Sequence, residues 1–222
     1  MVWGLVEPTG YGDYFPGGDY IGWEEALSRY FNEELTAEQQ AEFDNRDIRF
    51  MRITSLKFTE DKGQLAPHEI PDEFRLRETH KSLGALIGLG ERHLAVNETL
   101  KEIIESFEPG VHQFWPLRIT MPKGREYPVP YYGLRIGTFL DSFVPERSEG
   151  FHSSSEITTY YANNDTKKGY ASLCVAESVV AGSHLWRERW LRSPKILLSD
   201  ELMTVIERRA LRIPKHHQLK VI

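Results

Sequence analysis

The chain has 222 residues, of which 40% are hydrophobic and 12% aromatic; this excludes a disordered chain and allows a packed core without staples. The single cysteine, Cys174, excludes an intrachain disulfide and fits a reducing compartment. The net charge of −6 is unevenly placed: residues 1–50 hold eleven acids against three bases, net −8, and the remaining 172 hold 22 acids against 24 bases, net +2. An acidic N-terminal part repels phosphate backbones and attracts cations, which disfavours nucleic acid as a partner. The same excess also reads as a solvated face that serves solubility alone.

In chain order, Met1 to Glu7 reads as a short apolar strand. It lacks the basic and apolar regions of a leader peptide, and no stretch approaches the ~18 apolar residues of a membrane span. The expectation is a cytoplasmic protein without membrane contact. Residues 9–20 are turn-rich, punctuated by Gly10, Gly12, Pro16, Gly17 and Gly18 and carrying aromatics that pin the loop. From Trp23, the spacing of Trp23, Leu27, Tyr30 and Phe31 predicts a helix with one apolar face. Thr36 with Gln39 predicts the start of a second, more polar helix running to about Phe43. Residues 49–58 suggest a strand or buried edge, and 60–90 loops and short elements.

An internal repeat follows. Residues 93–107 and 195–209 align at an offset of 102. Each copy is an apolar run, a capping residue (Asn97 or Ser199), an acid, then a helix whose apolar face is Leu100, Ile103, Ile104 and Phe107 or Leu202, Val205 and Ile206. A second strand follows each helix, Gln113 to Ile119 and His217 to Ile222. Between the copies, 128–140 and 156–161 read as strands, as do the apolar runs 170–176 and 178–181 around Cys174. The class is therefore α+β: a mixed sheet with packed helices, containing two similar strand–helix–strand units at about 93–119 and 195–222. The whole chain reads as a single unit, with a subdivision into an acidic 1–90 region and a 91–222 region left open.

Four segments of the second part, Leu94 to Ile104, His112-Gln-Phe-Trp-Pro-Leu117, His184-Leu-Trp-Arg187 and Ile196-Leu-Leu-Ser-Asp-Glu-Leu202, together resemble the immunity proteins of bacterial polymorphic toxin and type VI secretion systems. The resemblance covers roughly residues 90–222, and the segment after the last helix, Leu211 to His217, departs from the usual glycine turn. It implies direct binding and inhibition of a cognate toxin, with no catalysis and no cofactor.

Searched for chemistry, the chain holds no P-loop, no His-Glu-x-x-His and no Cys-x-x-Cys. His216 and His217 are adjacent, so in a strand they face opposite ways and read as a charged C-terminal edge. His112 and His184 read as structural hydrogen-bonding groups, and Cys174 as a small hydrophobe. Arg187, Arg189 and Arg192 beside Trp186 and Trp190 fit either a nucleic-acid stacking patch or a helix with its tryptophans inward and its arginines in water. An enzyme centred on His152 to Glu156 has the residue types of acyl transfer, though neighbours in sequence rarely reach nucleophile–base geometry. A polar turn explains the same letters. A structural adaptor in a larger complex is a third class.

The leading expectation is a toxin-neutralising protein that presents an acidic surface to a basic toxin. Its candidate contact residues are Asp13, Tyr14, Phe15, Asp19, Tyr20, Glu24, Glu25, Glu33 and Glu34, where acids and aromatics coincide. A core role for Tyr14, Phe15 and Tyr20 competes with this. No metal site is expected, and association with a second copy is left open.

Overall fold

A computed structural model describes residues 1–154, 157–162, 166–191 and 195–222. The chain begins with β1 (Val2–Leu5) and β2 (Gly18–Tyr20), then three helices, α1 (Trp23–Glu33), α2 (Ala37–Ala41) and α3 (Asp47–Lys57). There follow β3 (Glu73–Leu76), β4 (Leu86–Gly88), β5 (Leu94–Asn97), α4 (Glu98–Phe107), β6 (Gln113–Met121), β7 (Arg125–Glu126), β8 (Tyr131–Arg135) and β9 (Phe139–Leu140). The last part comprises β10 (Phe151–Ser154), β11 (Ile157–Ala162), α5 (Lys167–Ala171), β12 (Cys174–Val175), α6 (Glu177–Val180), β13 (Leu185–Glu188), β14 (Lys195–Ser199), α7 (Asp200–Arg208) and β15 (His216–Val221). The fold is α+β.

Two mixed sheets form the framework, one ordered β2-β3-β6-β8-β5-β4 and the other β12-β15-β1-β14-β13-β9. The predicted repeat is real and longer than its letters suggest. In the first sheet β4 pairs antiparallel with β5, β8 lies antiparallel between β5 and β6, and β3 runs parallel to β6. In the second, β13 pairs antiparallel with β14, β1 lies antiparallel between β14 and β15, and β12 runs parallel to β15. The inserted strand is supplied by β8, downstream of the first copy, and by β1, at the opposite end of the chain from the second. Both carry an aromatic-Gly-Leu triplet, Tyr132-Gly133-Leu134 and Trp3-Gly4-Leu5.

The equivalence reaches single contacts. Asn97 and Ser199 each cap their helix, accepting from the backbone N–H of Leu100 and Leu202. Trp3 donates to the Asp200 carboxylate and Tyr132 to the Glu98 carboxylate, the first residue of α7 and of α4 respectively. Gly4 and Gly133 admit an aromatic ring where a side chain would stand: a Cβ would lie 2.3 Å from the Tyr170 ring and 2.0 Å from the Trp115 indole. The inward faces of both units then merge in one core, where Leu94, Val96, Leu100, Ile104 and Leu134 join Ile196, Leu198, Leu202, Ile206 and Leu5, and α4 packs on α7. The outward faces are covered separately, around Ile87, Ala95 and Ile119 on one side and Trp186, Leu197 and Leu219 on the other.

Three expectations are corrected. Residues 49–58 lie in α3 and its C-terminal turn, because Phe50, Thr54 and Phe58 share one helical face buried with Trp23, Leu27 and Phe31 of α1. That packing overrides the strand preference of the β-branched residues. The run 170–181 is not two strands: Tyr170 ends up in α5, whose Thr166 cap accepts from Gly169 N–H, only Cys174 and Val175 pair, and Ser178 to Val180 lie in α6. A short apolar run looks alike in a strand and a buried helix. Finally, the segment around Trp186 is the strand β13 between β9 and β14, so Trp186 and Arg187 are both buried and Arg187 does not face water.

Candidate functional site

Helix α1 is amphipathic. Trp23, Leu27 and Phe31 face the α3 side, which leaves Glu24, Glu25, Glu33 and Glu34 exposed on its other positions. Glu24 and Glu25 sit in the first turn, where an acid complements the helix dipole. The capping box of Thr36 and Gln39 then turns the chain into α2, which adds Glu38, and Glu42 beyond it, both exposed. Among the described residues Glu24, Glu25, Glu33 and Glu34 form no ion pair.

The other predicted contact residues are disposed differently. Asp13 takes the Arg212 guanidinium at 2.7 Å and the His80 ring at 3.5 Å; its pKa lies below the ordinary value chiefly through the Arg212 bond. Asp19 is held by Arg77 at 2.7 Å, which likewise lowers its pKa. These acids are therefore neutralised within the chain. Tyr14 packs against Gly84 and lies under the Arg212 guanidinium. Phe15 stacks on Tyr11, whose own ring is 70% exposed. Tyr20 is enclosed by Trp23, Phe74 and His93, and its hydroxyl meets His93 Nδ1 at 2.9 Å; burial raises its pKa well above the ordinary value. Sequence reasoning missed Arg77 and Arg212, and no local signal pointed to them, since each reaches its acid across the fold.

The histidine motifs converge on one carboxylate, Glu108 at the end of α4. His112 Nε2 lies 2.8 Å from Glu108 Oε2, and the backbone N–H groups of His184 and Leu185 donate to the same carboxylate at 3.0 and 2.9 Å. The other ring nitrogen of His112 accepts from Gly137 N–H, and His184 Nδ1 meets the Ser199 hydroxyl at 2.9 Å. Burial pushes the Glu108 pKa up, and these bonds more than offset it, leaving it below the ordinary glutamate value. The arrangement ties the first copy's helix to the second copy's strands and serves the fold.

His152 is exposed and stacks on Tyr161, while Ser155 and Glu156, like Arg192, lie outside the described residues. Arg189 is engaged by Asp141. His216 and His217 open β15 and pair with β1, while β12 joins only the far end of the strand, at Lys220 and Val221. Cys174 is buried, with its thiol donating to Arg147 O. No group of three metal-ligating side chains occurs among the described residues, and no described helix is long and apolar enough to cross a membrane.

No curated protein sequence matches the chain. A family model described as Immunity protein family (Imm11) matches residues 21–217. The match takes in α1 to α3, which the resemblance from about residue 90 onward did not reach.

Proposed function

The chain belongs to the Imm11 immunity protein family, and from that premise we propose that it neutralises a cognate bacterial toxin by binding it one to one through the acidic face of α1 and α2. Family membership implies immunity against a toxin; the surface, the stoichiometric occlusion, the absence of chemistry and the cytosolic setting are parts of this proposal, as is delivery of the toxin by a type VI or related system. The observation that carries the choice of face is the exposed set Glu24, Glu25, Glu33 and Glu34, which forms no ion pair among the described residues and outnumbers Arg29, the exposed cation of the same helix. A surface acid already paired has little left to offer a partner, and Asp13 and Asp19 are of that kind. Unpaired like charges concentrated on one helix raise the local potential and speed encounter with a basic protein. Occlusion then requires an interface on the order of 1,600 Å² in total.

Co-expression with the toxin encoded beside its gene tests this. The wild-type chain should rescue growth and co-purify at equal stoichiometry. The variant Glu24→Lys/Glu25→Lys/Glu33→Lys/Glu34→Lys should lose both while keeping its melting temperature within a few degrees, as substitutions at exposed positions do. Full rescue by that variant would place the toxin on another surface.

A further inference from the structure

At the seam between the two sheets lies a cleft of about 310 Å³ whose occupant the toxin reading does not supply. The repeat explains why a space exists there. Leu94 and Ile196 are equivalent residues of the two copies, and both line it. Their cross-strand partners, Gly88 and Arg187, are also equivalent and differ completely. Where one copy presents a guanidinium, the other presents no side chain, and the cleft opens between them.

The chemistry of the lining is graded from inside to outside. Arg187 and His93 are 2% and 1% exposed, whereas Glu91 and Arg92 stand in the solvent and Glu7 is half-buried. Burial, with Arg187 close by, lowers the His93 pKa to about 3, so the ring is neutral at physiological pH. Its Nδ1 is occupied by the Tyr20 hydroxyl, while its buried Nε2 has no hydrogen-bond partner among the described residues. A buried ring nitrogen without a partner carries an uncompensated desolvation cost, and a ligand atom relieves it. We assign the Tyr20 phenol as the donor to Nδ1, which places the imidazole proton on Nε2 and makes Nε2 a donor. Apolar surface from Leu5, Phe15, Leu94 and Ile196 completes the walls.

We propose that this cleft binds a small organic anion, an acidic head on an apolar body, with Arg187 and His93 Nε2–H meeting the head at the inner end and Arg92 adding its charge from the mouth. The size fits: ligand sites start at about 300 Å³ and combine apolar walls with a few convergent polar groups. The cation and the neutral donor are innermost and Glu91 is at the rim, which turns the acidic head inward, where it competes with the half-buried Glu7 for Arg187.

Anilinonaphthalene sulfonate and phenylnaphthylamine, the same ring system without the sulfonate, form a matched pair of fluorescent probes. Titrated into the folded full chain, the sulfonate should bind at one site, at least about ten-fold tighter than the neutral probe, as expected for a charge-assisted contact. Arg92→Gln, at an exposed position, should weaken sulfonate binding by about two- to five-fold and leave the neutral probe unaffected. Gly88→Met should abolish binding of both: a Cβ there meets Phe15 only at an ordinary 3.5 Å, so the longer chain extends into the cleft. Equal affinity for the two probes, no saturable sulfonate binding by the folded chain, or a sulfonate affinity unchanged in both variants would each overturn the proposal. Toxin neutralisation by Gly88→Met reports separately on the α1 face, so the two readings fail independently.

Discussion

Burial and hydrogen bonding oppose each other at Glu108, and the bonds win. A group whose folded pKa is depressed contributes stability above its unfolded value, and that contribution is lost as pH falls through the folded value. Glu108→Gln places an amide donor among three N–H groups that need an acceptor, and should cost about 2–3 kcal/mol at neutral pH. Urea unfolding at pH 7 and at pH 3 checks this: the gap between variant and wild type should narrow in acid. At His93 the sign of the linkage follows from a base held neutral. Its unfolded ring takes a proton near pH 6.5 and its folded ring only near pH 3, so stability falls as pH drops across that window. The urea midpoint of His93→Gln should therefore depend less on pH between 6.5 and 4 than that of the wild type. Neither histidine was decipherable as to partner: His112 and His184 were identified as hydrogen-bonding groups, but the carboxylate joining them is reached only when α4 meets β13. Tyr20 was ambiguous for the same reason, because alternation within a turn-rich segment does not reveal which ring turns inward.

The helices whose caps were visible in the letters came out best. Asn97, Ser199 and Thr36 all accept the predicted first-turn N–H. Because Asn97 and Ser199 occupy equivalent positions, Asn97→Ala and Ser199→Ala should cost similar amounts, about 1 kcal/mol each, measured by chemical denaturation. Unequal costs would show that the copies do not share one cap geometry in energetic terms. The elements that were misread had no such signal. Helix α3 begins after Arg46, which makes no side-chain cap bond, and its inward residues are β-branched or aromatic. The run 170–181 changes from helix to strand to helix within a few residues, too short for a period to show. Gly133 adds a prediction at this scale. Its missing Cβ leaves room for the Trp115 indole, which is anchored by its own bond to Pro71 O. Gly133→Ala should therefore destabilise by about 1–3 kcal/mol through overpacking, seen as a lower thermal midpoint.

For the molecule as a whole, the repeat was legible as letters over 93–107 and 195–209 but not as topology. That the strand completing the second sheet lies at the other end of the chain, in β1, could not be read from local pattern, because pairing depends on what the fold brings together. Charge was legible as an excess but not as a surface. Of the nine predicted contact residues, four acids on α1 and at its C-terminal end form no ion pair among the described residues, two are matched by arginines, and Tyr20 is enclosed in aromatic packing. What distinguishes a steering surface from a merely soluble one is its effect on a partner's rate of arrival. The association rate constant with the cognate toxin, followed from about 25 to 300 mM salt, measures this directly. The wild-type rate should fall by about ten-fold or more as screening shortens the reach of the field. The Glu24/Glu25/Glu33/Glu34→Lys variant should start slower and change little or rise with salt. A wild-type rate indifferent to salt and matched by the variant would contradict the account.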